Sequence, residues 1–152
     1  EIKKAFQECV IITQDCKPKL PKGIKNLIRT KTAKHTKKIF LEIYSEQADK
    51  NTITLYKSVN PDTDCDFYTG KIKYEDGKEV KCPDWNHDSS IECGEGLHLS
   101  PTPQLALSYN TGKVKICKVN KKNFVVFPEN ITKVRCKKVF VVGDYKEEKN
   151  NV

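Results

Sequence analysis

Cys82, His87, Cys93 and His98 fall within 17 residues, spaced C-x4-H-x5-C-x4-H. Two thiolates and two imidazoles are a donor set that zinc takes tetrahedrally. The intervening Pro83-Asp84-Trp85-Asn86 and Asp88-Ser89-Ser90 carry little regular structure of their own, which a bound metal would compensate. The candidate cofactor is therefore a structural zinc. The spacing lacks the short C-x2-C or H-x3-H pair of the strong zinc signatures, so ordinary packing of the four residues is the competing reading. The other cysteines are Cys9, Cys16, Cys65, Cys117 and Cys136. A total of seven is odd, which argues against a disulfide framework and for a reducing, cytoplasmic compartment, including the interior of an infected host. Cys117 and Cys136 sit in strand-like runs and are expected in the core.

The second chemical feature is charge. Twenty-eight Lys and Arg against twenty Asp and Glu give +8, of which residues 1–50 hold +6. Lys17, Lys19, Lys22, Lys25, Arg29, Lys31, Lys34, Lys37 and Lys38 succeed one another without an intervening acid. Such a block attracts nucleic acid or an acidic protein surface in a salt-dependent way, and a solvated face is the plainer reading. Lys133, Arg135, Lys137 and Lys138 form a second basic stretch. With 37% hydrophobic and 32% charged residues the chain is wet but able to build a core. No apolar run approaches the roughly 20 residues that cross a bilayer, so no membrane partner is expected. The absence of Met and the start at Glu1 suggest a processed piece of a longer polypeptide.

These residues need elements to hold them. Ala5–Thr13 reads as a short strand, and Pro18 and Pro21-Lys22-Gly23 then break any regular element. Apolar positions between Ile24 and Tyr44 have helical spacing at both ends around a polar middle, predicting two short helices or a helix and a loop. Beyond a polar connector at 45–52, Thr52–Val59 alternates as a strand, and Glu75-Asp76-Gly77-Lys78 marks a hairpin between Phe67–Tyr74 and Lys78–Cys82. Leu97–Leu99 is a short strand. Ser100 or Thr102 caps a helix over Gln104–Tyr109. Lys113–Val119, Phe124–Phe127 and Lys133–Val142 complete the strands. The predicted fold is α+β: a β-dominated domain at 51–146 with one inserted helix, a basic, partly helical segment at 1–50 before it, and a disordered tail at 147–152.

Leu55-Tyr56-Lys57-Ser58-Val59, Cys93-Gly94-Glu95-Gly96-Leu97-His98-Leu99-Ser100-Pro101, Ala106-Leu107-Ser108-Tyr109 and Lys133-Val134-Arg135-Cys136 together resemble a set of uncharacterised domains from phages, bacteria and large DNA viruses. The resemblance spans residues 54–145, and the CGxGLH core is its most specific part. It carries no activity but supplies a residue list. An opening strand with Tyr56 and Lys57 and a Gly-x-Gly turn feeding His98 would form two walls of a cleft. If the face of the last strand that bears Lys133 and Arg135 meets His98, the result is a cationic pocket for a phosphate or nucleotide, with His98 as acid or base. The order of these features is also loosely similar to ADP-ribosyltransferase and RNA 2′-phosphotransferase folds, without a catalytic glutamate at a matching place; Glu129 and Glu147 are poor candidates.

Two functional readings result, beside a third in which the chain is a zinc-stapled structural domain of a larger phage or viral protein with its cleft empty. In the first, the chain is a basic interaction module, zinc-stabilised, whose lysine-rich surfaces contact nucleic acid or another anionic partner. In the second, it is an enzyme acting on a nucleotide or phosphorylated substrate through His98, Lys57 and Arg135. The first is favoured on charge alone. Trp85 and Tyr109 are expected in the core, and His98 between Leu97 and Leu99 would serve equally as a packed, hydrogen-bonded histidine.

Overall fold

The computed structural model describes residues 9–13, 26–30 and 35–147. Two compact units, Glu1–Lys34 and His35–Val152, divide the chain. In the first, β1 (Cys9–Thr13) and β2 (Asn26–Thr30) pair in parallel, from Cys9 opposite Asn26 to Thr13 opposite Thr30. The strand at Cys9–Thr13 agrees with expectation. The one at Asn26–Thr30 replaces an expected helical turn, because Leu27 and Ile28 suit either state over so short a window. Arg29 lies on β2; Lys17, Lys19, Lys22, Lys25, Lys31 and Lys34 lie outside the described residues, as do residues 148–152 of the expected tail.

The second unit is α+β and β-dominated. Helix α1 (Lys37–Ile43) starts at Thr36, whose hydroxyl accepts from the Ile39 amide at 3.3 Å and satisfies one of the free amides of the first turn. Its Phe40 is buried against Phe124, ring centroids 5.9 Å apart. A 3-10 turn at Ser45–Gln47 leads to β3 (Thr52–Val59). There follow β4 (Glu79–Lys81), β5 (Leu97–Leu99), α2 (Pro103–Tyr109), β6 (Lys113–Asn120), β7 (Phe124–Val126), β8 (Val134–Cys136) and β9 (Lys138–Asp144). The α2 cap is Thr102, which accepts from the Leu105 amide at 3.2 Å, with Pro103 in the first turn.

Two antiparallel sheets result: four strands in the order β3-β6-β9-β4 and three in the order β5-β8-β7. Their facing sides supply one core. Ile53 and Leu55 come from β3, Cys117 and Val119 from β6, Val139 and Val141 from β9, and Leu97, Leu99, Val134, Cys136 and Phe124 from the smaller sheet. Cys117 and Cys136 are fully buried, as expected of small apolar side chains there. Burying one Leu or Val of this set contributes about 1.5–3 kcal/mol. The alternation also fixes register, since a one-residue slip would turn the apolar set outward.

The run Lys133–Val142, expected as one central strand, is two. It leaves the small sheet after Cys136 and enters the large one at Lys138, with Lys137 between them donating its amide to the Asn123 carbonyl at 2.7 Å. The expected hairpin at 67–82 is also reduced. Only Glu79–Lys81 is a strand, paired with β9, while Cys65 and Lys73 form an isolated bridge. Besides the shared core, the sheets are joined by backbone: the Tyr56 and Ser100 amides each donate to the other's carbonyl at 2.8 Å, linking β3 to the end of β5.

Candidate functional site

The cleft forms beside that joint. Its volume is about 610 Å³, and Tyr56 and Lys57 of β3, His98 of β5, Tyr109 of α2 and Lys133 all face it. The two walls expected from sequence, β3 and the Gly-x-Gly strand, are thus brought together.

Lys57 owes its direction to strand parity. It shares the inward side of β3 with Ile53, Leu55 and Val59, and its cross-strand partner on β6 is Lys115. The two lysines are treated in opposite ways. Lys115, 1% exposed, is caged by Asp76 and Asp144 at 2.7 Å and Asp64 at 3.4 Å. Burial alone would lower its pKa, but hydrogen bonds to Asp144 and Asp76 and the charge of Asp64 outweigh it and hold the amine above its ordinary value. Lys57 forms no ion pair or side-chain hydrogen bond among the described residues; its ammonium lies 5.7 Å from the centre of the Tyr74 ring. Burial lowers its pKa, with the charge of Asp66 only partly opposing.

His98 packs on Phe127, centroids 6.3 Å apart, and its Nε2 is 3.3 Å from the Glu92 carbonyl. A carbonyl only accepts, so Nε2 carries the proton and Nδ1 is left with the lone pair. Burial lowers the His98 pKa, the Glu92 carbonyl opposes this, and the charges of Lys133, Lys57 and Arg135 lower it further. At neutral pH the ring is therefore a neutral base. Lys133 is held by Glu92 at 2.9 Å, which also accepts from Asn130 at 2.8 Å.

Arg135 stands opposite His98 in the β5–β8 register, hence on the same side of the small sheet. It does not line the cleft. Its side chain is fully buried, donating from Nε to Asn86 O at 3.2 Å, from Nη2 to Asp88 O at 2.6 Å and from Nη1 to Ile91 O at 2.5 Å. The guanidinium lies 5.9 Å from the Trp85 ring centre and 5.5 Å from that of Phe127. Gly94 and Gly96 make room for it: a Cβ on Gly94 would lie 2.5 Å from Nη1, and one on Gly96 would collide with the side-chain stem. The glycines of the CGxGLH core are thus explained by an arginine some forty residues away. The arginine expected to bind an anion instead braces the loop that walls the cleft.

That bracing bears on the expected zinc. Cys82, Cys93 and His98 line the cleft, whereas His87 does not and is exposed. Among the described residues no group of three or more His, Cys, Asp or Glu side chains is placed to hold a metal ion. As placed, the four donors do not converge on one point. The irregular loop for which a metal seemed needed is held by three charge-assisted bonds from Arg135.

The second basic stretch is likewise largely engaged. Lys133 pairs with Glu92, and Lys138 with Glu79 at 2.9 Å, while Lys137 is exposed. On α1, Lys37 donates to the Phe124 carbonyl at 2.7 Å, and exposed Lys38 sits 4.0 Å from Glu42. The cleft is not the cationic pocket anticipated, since Asp66, Asp84 and Glu95 line it along with Lys57 and Lys133. Glu129 and Glu147 are exposed and lie outside it. Tyr109, expected in the core, is 45% exposed at the end of α2. Sequence reasoning did not single out Asp66 or Tyr68; the Asp66-x-x-Thr69 spacing was the available signal for a side-chain-capped turn.

Fold and site define a small two-sheet α+β domain with a mixed-charge, tyrosine-lined cleft where the sheets join. Residues 53–150 match the family described as a domain of unknown function, DUF7666, and the chain belongs to it. No curated protein and no solved structure matches the chain. No helix among the described residues is long and apolar enough to cross a membrane.

Proposed function

We propose that the cleft binds a nucleotide or closely related phosphorylated ligand and that His98 acts on it as the general base of a transferase or hydrolase. The observation that carries this reading is Lys57. An inward lysine that forms no ion pair among the described residues, directly across from one caged by three carboxylates, faces an open cleft with only the more distant charge of Asp66 to offset its burial. Holding such a charge costs stability unless an anion completes it, and a single phosphate would do so. Tyr109 gives the same cleft an aromatic wall. His98, neutral at pH 7 with Nδ1 unprotonated, is in the state a base needs. The setting that fits is the interior of a bacterial, phage-infected or virus-infected cell, as the free thiols of Cys65, Cys82, Cys93, Cys117 and Cys136 support.

The test is calorimetric titration with nucleoside monophosphates and dinucleotides, comparing the wild type with Lys57→Gln and His98→Ala. Lys57→Gln should weaken binding at least tenfold, and His98→Ala should abolish turnover while retaining most binding. Failure of every nucleotide to bind, or an unchanged affinity in Lys57→Gln, would sink the proposal.

A second reading rests on the charge of residues 1–50: that segment contacts nucleic acid or an acidic protein surface. It requires binding that weakens steeply between about 50 and 200 mM salt and is untouched by Lys57→Gln. Salt-insensitive binding would remove it.

A further inference from the structure

Between β3 and β4 the chain makes a compact turn whose tip is Phe67-Tyr68. Its anchor is Asp66, buried, whose carboxylate accepts from the Thr69 amide at 2.6 Å, the Thr69 hydroxyl at 2.7 Å and the Ile72 amide at 2.9 Å. The Asp66 backbone closes the same turn, its amide donating to Ile72 O at 2.9 Å and its carbonyl accepting from Gly70 at 3.0 Å. Phe67 fastens the tip to the body. It lies so close over Gly112 that a Cβ there would come within 2.8 Å of the ring.

Next to this anchor, Tyr68 is 98% exposed and still lines the cleft. The turn fixes the backbone that carries the ring, while the ring itself stands almost wholly in solvent with both faces open to a flat partner. The fold therefore offers an uncovered π-face at the mouth of the cleft, on a backbone held by a buried carboxylate and by the neighbouring Phe67.

We infer that Tyr68 is the stacking platform for the heteroaromatic base of the ligand, placed at the rim while the phosphate end lies deeper, toward Lys57. This rests on the nucleotide reading above and adds the part of the ligand that leaves the cleft. A base-bearing nucleotide is preferred over a sugar phosphate because only the former reaches the ring. Stacking of a base on an aromatic side chain is commonly worth an order of magnitude or more in affinity.

The experiment uses the whole chain and two probes, adenosine 5′-monophosphate and ribose 5-phosphate, in calorimetric titrations of the wild type, Tyr68→Ala and Tyr68→Phe. The expected result is an adenosine monophosphate affinity about tenfold lower in Tyr68→Ala and within about twofold of wild type in Tyr68→Phe. Ribose 5-phosphate should bind all three alike. Unchanged nucleotide affinity in Tyr68→Ala, or equal loss of both probes, overturns the platform while leaving the nucleotide reading standing. A wild type that binds neither probe overturns the platform, and the nucleotide reading falls with it when the other mononucleotides and the dinucleotides also fail to bind. The ring is almost wholly in solvent, so neither variant should disturb folding, and equal melting temperatures would confirm that.

Discussion

Replacing Arg135 by Met removes the brace of the loop at 83–96 while filling most of the space its stem occupies. Three bonds from a charged donor are lost, to Asn86, Asp88 and Ile91 carbonyls. Such bonds contribute about 1.5–3 kcal/mol each when the acceptor stays dry. Here the acceptors belong to half-buried or exposed residues, so water recovers part of the loss and about 1 kcal/mol remains for each. Loss of the cation from between the Trp85 and Phe127 rings adds about 0.5–1 kcal/mol. The expected destabilisation is therefore about 3–4 kcal/mol, which for a domain of this size lowers the melting temperature by roughly 10–15 °C. Arg135→Lys keeps the charge but not the three-pronged reach and should recover less than half. Urea unfolding followed by circular dichroism gives the energies, and hydrogen exchange locates the loosened segment, which should be 83–96 before any strand. A metal chelator should leave the wild-type melt unchanged. Losses under about 1 kcal/mol in both variants, or a chelator-induced drop comparable to that of Arg135→Met, would refute the assignment of the loop's support to the guanidinium.

Stability should fall on acidification in two stages. The folded-state pKa of His98 is lowered by burial, so the unfolded chain binds its proton first and a modest loss begins below about pH 6.5. Asp64 and Asp66 follow: burial would raise both pKa values, but bonds from Lys113 and Lys115, and from Thr69 and Ile72, hold them down. Their contribution is present above about pH 4 and lost as pH falls further; melting temperatures that stay constant from pH 7 to pH 3 would contradict this. Thiol labelling followed by peptide mapping should find exposed Cys93 modified in the folded protein. Cys117 and Cys136 should react only on unfolding, because burial pushes the Cys117 thiol up to about 12 and that of Cys136 well above its ordinary value. Rapid labelling of either buried thiol under native conditions would show the core to be open.

The elements with clean local signals were legible in the sequence. Thr52–Val59 alternates, and Thr102-Pro103 announces a helix start; both occur within a residue or two of where they were expected. The break at Lys137 was not, because a Val- and Phe-rich run reads the same whether it stays in one sheet or passes between two. The site was half legible for a related reason. The strand with Lys57 and the Gly-x-Gly strand were read as two walls of a cleft, and Arg135 does come to the side of His98, but strand alternation says nothing of what waits at the end of a long side chain. Arg135 is claimed by carbonyls 44 to 49 residues earlier in the chain, and those partners belong to a loop with no periodicity to read. Tyr109 was misplaced because a seven-residue helix has too few turns to declare a buried face.

The pair of backbone bonds between Tyr56 and Ser100 has a kinetic consequence. Joining the sheets beside Lys57 means that the cleft cannot breathe by parting its floor without breaking β-type pairing. Exchange of the proposed ligand would then run through the rim, where the turn bearing Tyr68 and the arginine-braced loop meet solvent. Residence time in this domain should respond to substitutions in those two loops, and the strands beneath should keep the same geometry whether the cleft is full or empty.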